Sequence, residues 1–154
     1  MLVIRKAEQA DAEACSRTLS ASIRELCATD HHDDADLIAQ WTANKTPERI
    51  ARWIADPNVT FFLAERDGAP AGVGSVSAEG EILLNYVAPL HRFCGVSRAM
   101  LAHLEQTLRD RGVRKAKLTS TATAHRFYRS AGWLDVGSPQ LLFGVKGYPM
   151  EKNL

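Results

Sequence analysis

The chain has 154 residues, 45% of them hydrophobic, and its 19 basic and 18 acidic side chains leave a formal charge of +1. That length and apolar content suit one folded domain spanning residues 1–154 and exclude a disordered chain, while the balanced charge excludes a global field that would draw the protein to nucleic acid or an anionic membrane. No window approaches the roughly 18 to 20 consecutive apolar residues of a membrane span, and "MLVIRKAEQADAE" turns charged too early for a signal peptide, so the expected location is the cytoplasm. Cys15, Cys27 and Cys94 form an odd set without CxxC spacing, and on one helix Cys15 and Cys27 would stand about 18 Å apart, so free thiols are expected.

"LVIRKA" opens the chain as a short strand. Asp11 then precedes a helix on which Ala12, Cys15, Leu19, Ile23 and Leu26 recur at three- and four-residue spacing, a stripe that faces a core. "CATDHHDDADLIAQW" breaks this helix at a polar cluster, and Asp33 or Asp34 caps a second short one. In "KTPERIARWIADP" Thr46 is the N-cap, Pro47 the first helical residue and Asp56-Pro57 the stop, with Ile50, Trp53 and Ile54 on one face. These two helices are expected to form one lid-like layer.

From Val59 the period becomes two. "VTFFLAE", a turn at Asp67-Gly68, "PAGVGSVS", a turn at Glu79-Gly80, and "EILLNYVA" ended by Pro89 predict an antiparallel meander. Residues 95–110 form a helix with Val96, Met100, Leu104 and Leu108 spaced by four and Gly112 as its stop. "RKAKLTS" is a strand, "TATAHRFYRSAG" a helix ending at Gly132, and "WLDVG" and "KGYPMEKNL" are weak final strands. A meander followed by a strand-helix-strand-helix unit predicts an α+β fold, a mixed sheet with helices on both faces, in which the strands at Glu81 and Lys115 run parallel.

The junction "VAPLHRFCGVSRAML" carries Pro89, Arg92, Gly95 and Ser97 into a helix with no acidic residue in its first turn. Unpaired N–H groups and the positive dipole end of that helix favour a phosphate-like anion, Gly95 lets the backbone approach it closely, and Arg92 and Arg98 add charge-assisted contacts.

The run Arg92, Phe93, Cys94, Gly95, Val96, Ser97 resembles the Q/R-x-x-G-x-G/A signature of the GCN5-related N-acetyltransferase (GNAT) superfamily, whose loop holds the pyrophosphate of acetyl-coenzyme A. "ILLNYV" resembles the superfamily's fourth strand, and "AHRFYRSAGW" resembles its A-x-x-(aromatic or Leu)-Y-x-x-x-G-(F/W) block. The likeness spans nearly the whole chain and is strongest over residues 82–133. It implies a GNAT-like fold with a mostly antiparallel sheet, acetyl-coenzyme A as cosubstrate, no metal, and direct attack by an amine in a ternary complex. It also implies that main-chain N–H groups at a bulge, mapped onto Asn85, Tyr86 and Val87, polarise the thioester carbonyl and pair with the pantetheine arm. Tyr128 matches the tyrosine that protonates the departing sulphur; a phenol near ~10 and a thiol near ~8.5 are close enough in pKa for that transfer.

Glu81 falls six residues before Val87, where the resembling histone-acetylating branch carries its general base, although Glu79-Gly80-Glu81 also reads as a solvated turn. Ser97 stands in place of the usual Gly or Ala and offers a hydroxyl. Thr121 stands where many members have asparagine, so its hydroxyl, or that of Ser120, is expected to substitute. Cys94 reads as loop packing, and His91 as a phosphate or solvent contact rather than a base.

"DHHDD" at residues 30–34 has ligand-type side chains, but consecutive positions on a turn do not converge on one ion, and it reads as a capped, solvated loop. In the resembling fold this loop borders the acceptor pocket, where Asp33, Asp34 and Asp36 are placed to attract a cationic amine. Trp41 and Trp53 read as core. The basic run "RDRGVRKAK" lacks a recognition motif and suits a helix end and its dipole. Expected partners are a small-molecule or protein amine, with no nucleic acid and no membrane, and the final strands offer edges for a homodimer. The competing reading is a catalytically silent acyl-CoA-binding sensor or scaffold on the same fold; the presence of Tyr128 favours the enzyme.

Overall fold

A computed structural model describes residues 1–142 and 144–154. Strand β1 (Leu2–Lys6) is followed by helices α1 (Ala12–Leu26), α2 (Ala28–His31), α3 (Ala35–Thr42) and α4 (Pro47–Ala55). The meander is β2 (Val59–Arg66), β3 (Ala69–Ser77) and β4 (Glu81–Val87). Then come α5 (Val96–Asp110), β5 (Lys115–Ser120), α6 (His125–Ser130), β6 (Leu134–Asp135), β7 (Gln140–Leu142) and β8 (Val145–Asn153). The sheet order is β1-β2-β3-β4-β5-β8-β6, with β7 paired to β8, and every pairing is antiparallel except that of β4 with β5. This is the α+β layout that the period changes predict.

Period-two alternation puts helices on both faces. Along β2, Phe62 and Ala64 pack with Met100, Leu104 and Leu108 of α5 and with Tyr128 and Trp133, whereas Phe61 and Leu63 pack with Cys15 and Leu19 of α1 and Ile50 of α4. Helix α5 sits close because β3 is bare beneath it: a Cβ on Gly74 would stand 2.6 Å from Met100 Sδ. Among the described residues, no helix is long and apolar enough to cross a membrane. All three cysteines are free, Cys15 and Cys27 buried and Cys94 exposed.

The caps follow local chemistry. Asp34 accepts from the N–H groups of Asp36 and Leu37 at 2.9 and 3.1 Å, and Thr46 accepts from that of Arg49 at 3.2 Å. Asp11 does not cap α1 with its side chain; its carboxylate accepts from the Glu8 N–H at 2.7 Å, one turn earlier, and from Arg5 at 2.8 and 3.0 Å.

Three expectations are corrected. Helices α3 and α4 do not form one lid: Trp41 of α3 packs with Ile23, Cys27 and Val145, while Ile50 of α4 joins the separate cluster on α1 and β2. The last strand is not weak, since β8 is nine residues long and pairs with β5 from Lys115↔Asn153 to Ser120↔Tyr148. Pro149 is tolerated within it because its carbonyl, which accepts from the N–H of Val136 at 2.9 Å, and with it the place of its missing N–H face away from β5, so the ladder to β5 loses no donor. Helix α6 starts only at His125, because the preceding turn is drawn away to Asp30.

Candidate active site

The site begins with a break in the sheet. Strand β4 pairs with β5 only at Glu81↔Lys117 and Ile82↔Leu118, and beyond these the two strands part. A bulge in β4 accompanies the separation: the β3 partners Ser75 and Val76 face Leu84 and Ile82, leaving Leu83 as the extra residue. Bulges bend a strand and increase its twist, and here Ile82 and Leu84, two positions apart, pack into opposite layers.

The bulge thus lies two residues before Asn85, not at residues 85–87 as mapped from the resemblance. Asn85, Tyr86 and Val87 pair regularly with Gly74, Val73 and Gly72. Their value is directional. The Ala88 N–H donates to the Ala71 carbonyl at 2.8 Å, so by alternation the N–H groups of Val87 and Asn85 point to the opposite edge, the one β5 has left.

Between the parted strands lies a cavity of about 470 Å³. Its lining includes eleven of the candidate residues: Asn85, Tyr86, Val87, Arg92, Phe93, Gly95, Val96, Ser97, Arg98, Thr121 and Tyr128. Cys94 and Glu81 are not part of it. Cys94 is exposed, its thiol 3.5 Å from the Arg92 carbonyl. Glu81 sits at the closed end of the strand pair, its N–H donating to Ser77 Oγ at 3.1 Å.

One end of the cavity is the turn into α5. Phe93 and Gly95 both have positive φ, 63° and 80°, which turns the chain sharply into the helix. Gly95 is the N-cap without a side chain to offer, the first turn holds no acidic residue, and the N–H groups of Val96, Ser97 and Arg98 have no intrahelical partner. A Cβ on Gly95 would meet nothing within 4 Å, so the chain is uncovered at the N-cap itself. Arg66 Nη1 ties the turn to β2 through the Cys94 carbonyl at 3.2 Å, and the Arg92 guanidinium lies 4.6 Å from the Phe93 ring centroid.

Tyr128 stands deeper in the cavity, on α6. Burial pushes its phenol up to about 12, partly opposed by a side-chain hydrogen bond with Asn85. The Asn85 carbonyl oxygen Oδ1 is buried with no partner among the described residues. Burial likewise raises Tyr86, which has a side-chain hydrogen bond with Trp41, and pushes the Cys27 thiol up to about 12. The Thr121 hydroxyl accepts from the Ala124 N–H at 3.1 Å, and Ser120 Oγ donates to the Thr121 carbonyl at 2.8 Å.

Sequence reasoning missed Asp30. Its carboxylate accepts from the N–H groups of Ala122 and Thr123, at 2.7 and 3.1 Å, and from Thr123 Oγ1, fastening α2 to the turn between β5 and α6. His31 is wholly buried, its Nδ1 accepting from the Asp33 N–H at 3.0 Å and its Nε2 bonded to the Ile23 carbonyl at 2.7 Å. Only residues 32–36 of the acidic stretch are exposed, and none lines the cavity. Asp30 and His31 therefore build structure rather than a solvated loop. Their one sequence signal was polar residues directly after an amphipathic helix.

Residues 27–154 match the family model of the acetyltransferase (GNAT) domain, and the chain belongs to that family. No curated protein matches the sequence. Similar solved structures include a GCN5-related N-acetyltransferase (aminotransferase, class-II) from Rhodopseudomonas palustris, 21% identical with a TM-score of 0.89 over 99% of this chain and 95% of that one. The PaiA N-acetyltransferase of Thermoplasma acidophilum, in complex with coenzyme A, is 18% identical with a TM-score of 0.83 over 100% and 99%. YncA from Salmonella typhimurium, with its cofactor acetyl-CoA, is 22% identical with a TM-score of 0.71 over 99% and 93%.

Proposed function

We propose that this chain is an N-acetyltransferase that uses acetyl-coenzyme A as donor and passes the acetyl group directly to a primary amine seated in the same cavity. One observation carries the reading: the N–H-rich turn into α5, the free edge of β4 and the Tyr128 phenol all open into one cleft. Acetyl-coenzyme A, when bound, supplies an activated thioester carbonyl and a thiol leaving group.

The chain's own residues fit that donor. Residues 96–98 offer main-chain donors, and Arg92 and Arg98 offer positive charge, to a pyrophosphate. The N–H groups of Val87 and Asn85, on the edge that β5 leaves free, would meet the carbonyls of an extended arm and of the thioester. Tyr128, in the cavity lining, would supply a hydrogen bond to the sulphur of a bound donor. At about 12 its phenol is a weaker acid than a thiol near ~8.5, so it stabilises the thiolate more than it transfers a proton outright.

A thermal-shift titration with acetyl-coenzyme A and with coenzyme A tests the reading. The wild-type midpoint should rise with ligand concentration, by about 2.7 kcal/mol of added stability at 100 times the Kd, and Gly95→Trp, checked for folding by circular dichroism, should lose the rise because its side chain fills the cradle. A folded wild-type protein with no shift sinks the reading.

A further inference from the structure

On the acetyltransferase reading above, we infer that the acceptor is a weakly basic primary amine with an apolar substituent and no second positive charge, which enters the cavity already neutral. The charged residues of the lining are Arg92 and Arg98, both positive, and they lie at the anion-binding end with His91. Elsewhere the lining is neutral and largely apolar, with Leu26 and Cys27 at the end of α1, Leu83 and Leu84 on β4, and Phe127 on α6. Among the described residues, no Asp, Glu or Lys lines it.

The nearby carboxylates are engaged or lie elsewhere. Asp30 is taken by three donors from residues 122 and 123, Asp33, Asp34 and Asp36 are exposed, and Glu81 stands outside the lining. An ammonium entering here would lose its hydration and find no carboxylate as counter-charge, the two guanidinium groups being taken up at the pyrophosphate end, which favours its neutral form. Tyr86, Tyr128 and Cys27 are all held protonated by burial, so none of them takes the proton. His91, the other titratable side chain of the lining, stands with the two arginines at the anion-binding end, so the proton leaves to water before the amine is seated.

This requirement sorts amines by basicity. An α-amino group near pKa ~8 is about a quarter neutral at pH ~7.5, whereas a lysine-type amine near ~10.4 is about a thousandth neutral, a difference of roughly 200-fold.

The test measures thiol release with leucinamide, phenylalaninamide, Nα-acetyl-lysine amide and spermidine between about pH 6.5 and 9.5, with acetyl-coenzyme A binding measured separately by calorimetry. At pH ~7.5 the two amino-acid amides should exceed the other two in kcat/KM by at least about 100-fold, with kcat/KM rising with pH and levelling at each amide's own pKa. Preference for the lysine amine or spermidine, a break at one pKa common to all amines, or donor binding without turnover of either amide overturns the proposed acceptor. Failure of the donor to bind overturns the acetyltransferase reading beneath it.

Discussion

Tyr128 shows how much burial changes a side chain whose identity is plain in the sequence. Its place in "FYRSAGW" marks it as the candidate acid, but only the packing that encloses it raises its phenol to about 12. Tyr128→Phe should lower kcat by about 10²-fold with little change in the KM for donor, in a thiol-release assay. Because the wild-type phenol stays protonated, kcat should show no falling alkaline limb through about pH 10. Lys45 carries the opposite shift. Its ammonium is buried, 2.6 Å from Asn44 Oδ1 and 6.0 Å from the Trp53 ring centroid, and desolvation lowers it to about 8. Between about pH 8 and 10.5 the unfolded chain binds this proton and the folded chain does not, so the lysine's destabilising cost is full below that window and is relieved as pH rises through it. Relative to Lys45→Met, the wild type should gain stability across the window by up to about 3 kcal/mol in urea titrations, the variant difference cancelling the cysteines that titrate nearby.

At the scale of elements, most of the chain could be read in advance because its signals are local. Thr46-Pro47, Asp34 and the Asp67-Gly68 and Glu79-Gly80 turns act through neighbours a few residues away. Strand β8 was harder, since Pro149 and its charged residues hide a burial pattern that exists only against β5. The bulge at Leu83 is not legible in advance, because nothing in "EILLNYV" says which residue lacks a partner on β3. Gly74 likewise reads as a weak strand residue until α5 is laid across it. Gly74→Val should destabilise the protein by about 1–3 kcal/mol, since Met100 and Leu104 must shift to admit the side chain, as chemical denaturation would measure.

Across the whole molecule, two buried carboxylates join distant segments. Asp30 ties α2 to the turn before α6 across 93 positions. Glu105 of α5 accepts from Trp133 Nε1 at 3.1 Å and from Lys152 Nζ at 2.9 Å, the lysine also donating to the Ala131 carbonyl, so one side chain holds α5, β8 and the segment after α6 together. Glu105→Ala leaves a buried indole N–H without its acceptor and a mostly buried ammonium without its counter-charge, and should cost about 3–5 kcal/mol in equilibrium unfolding. The sequence by itself determined the order of the main elements, though not α2 or β7, and marked the N–H-rich turn at Gly95 and Tyr128 as candidates, because periodicity, capping and glycine turns are properties of adjacent residues. Only the tertiary structure decided where β4 and β5 part, which side chains line the resulting cavity and which charges are buried, because desolvation and pairing depend on residues that the chain itself keeps far apart.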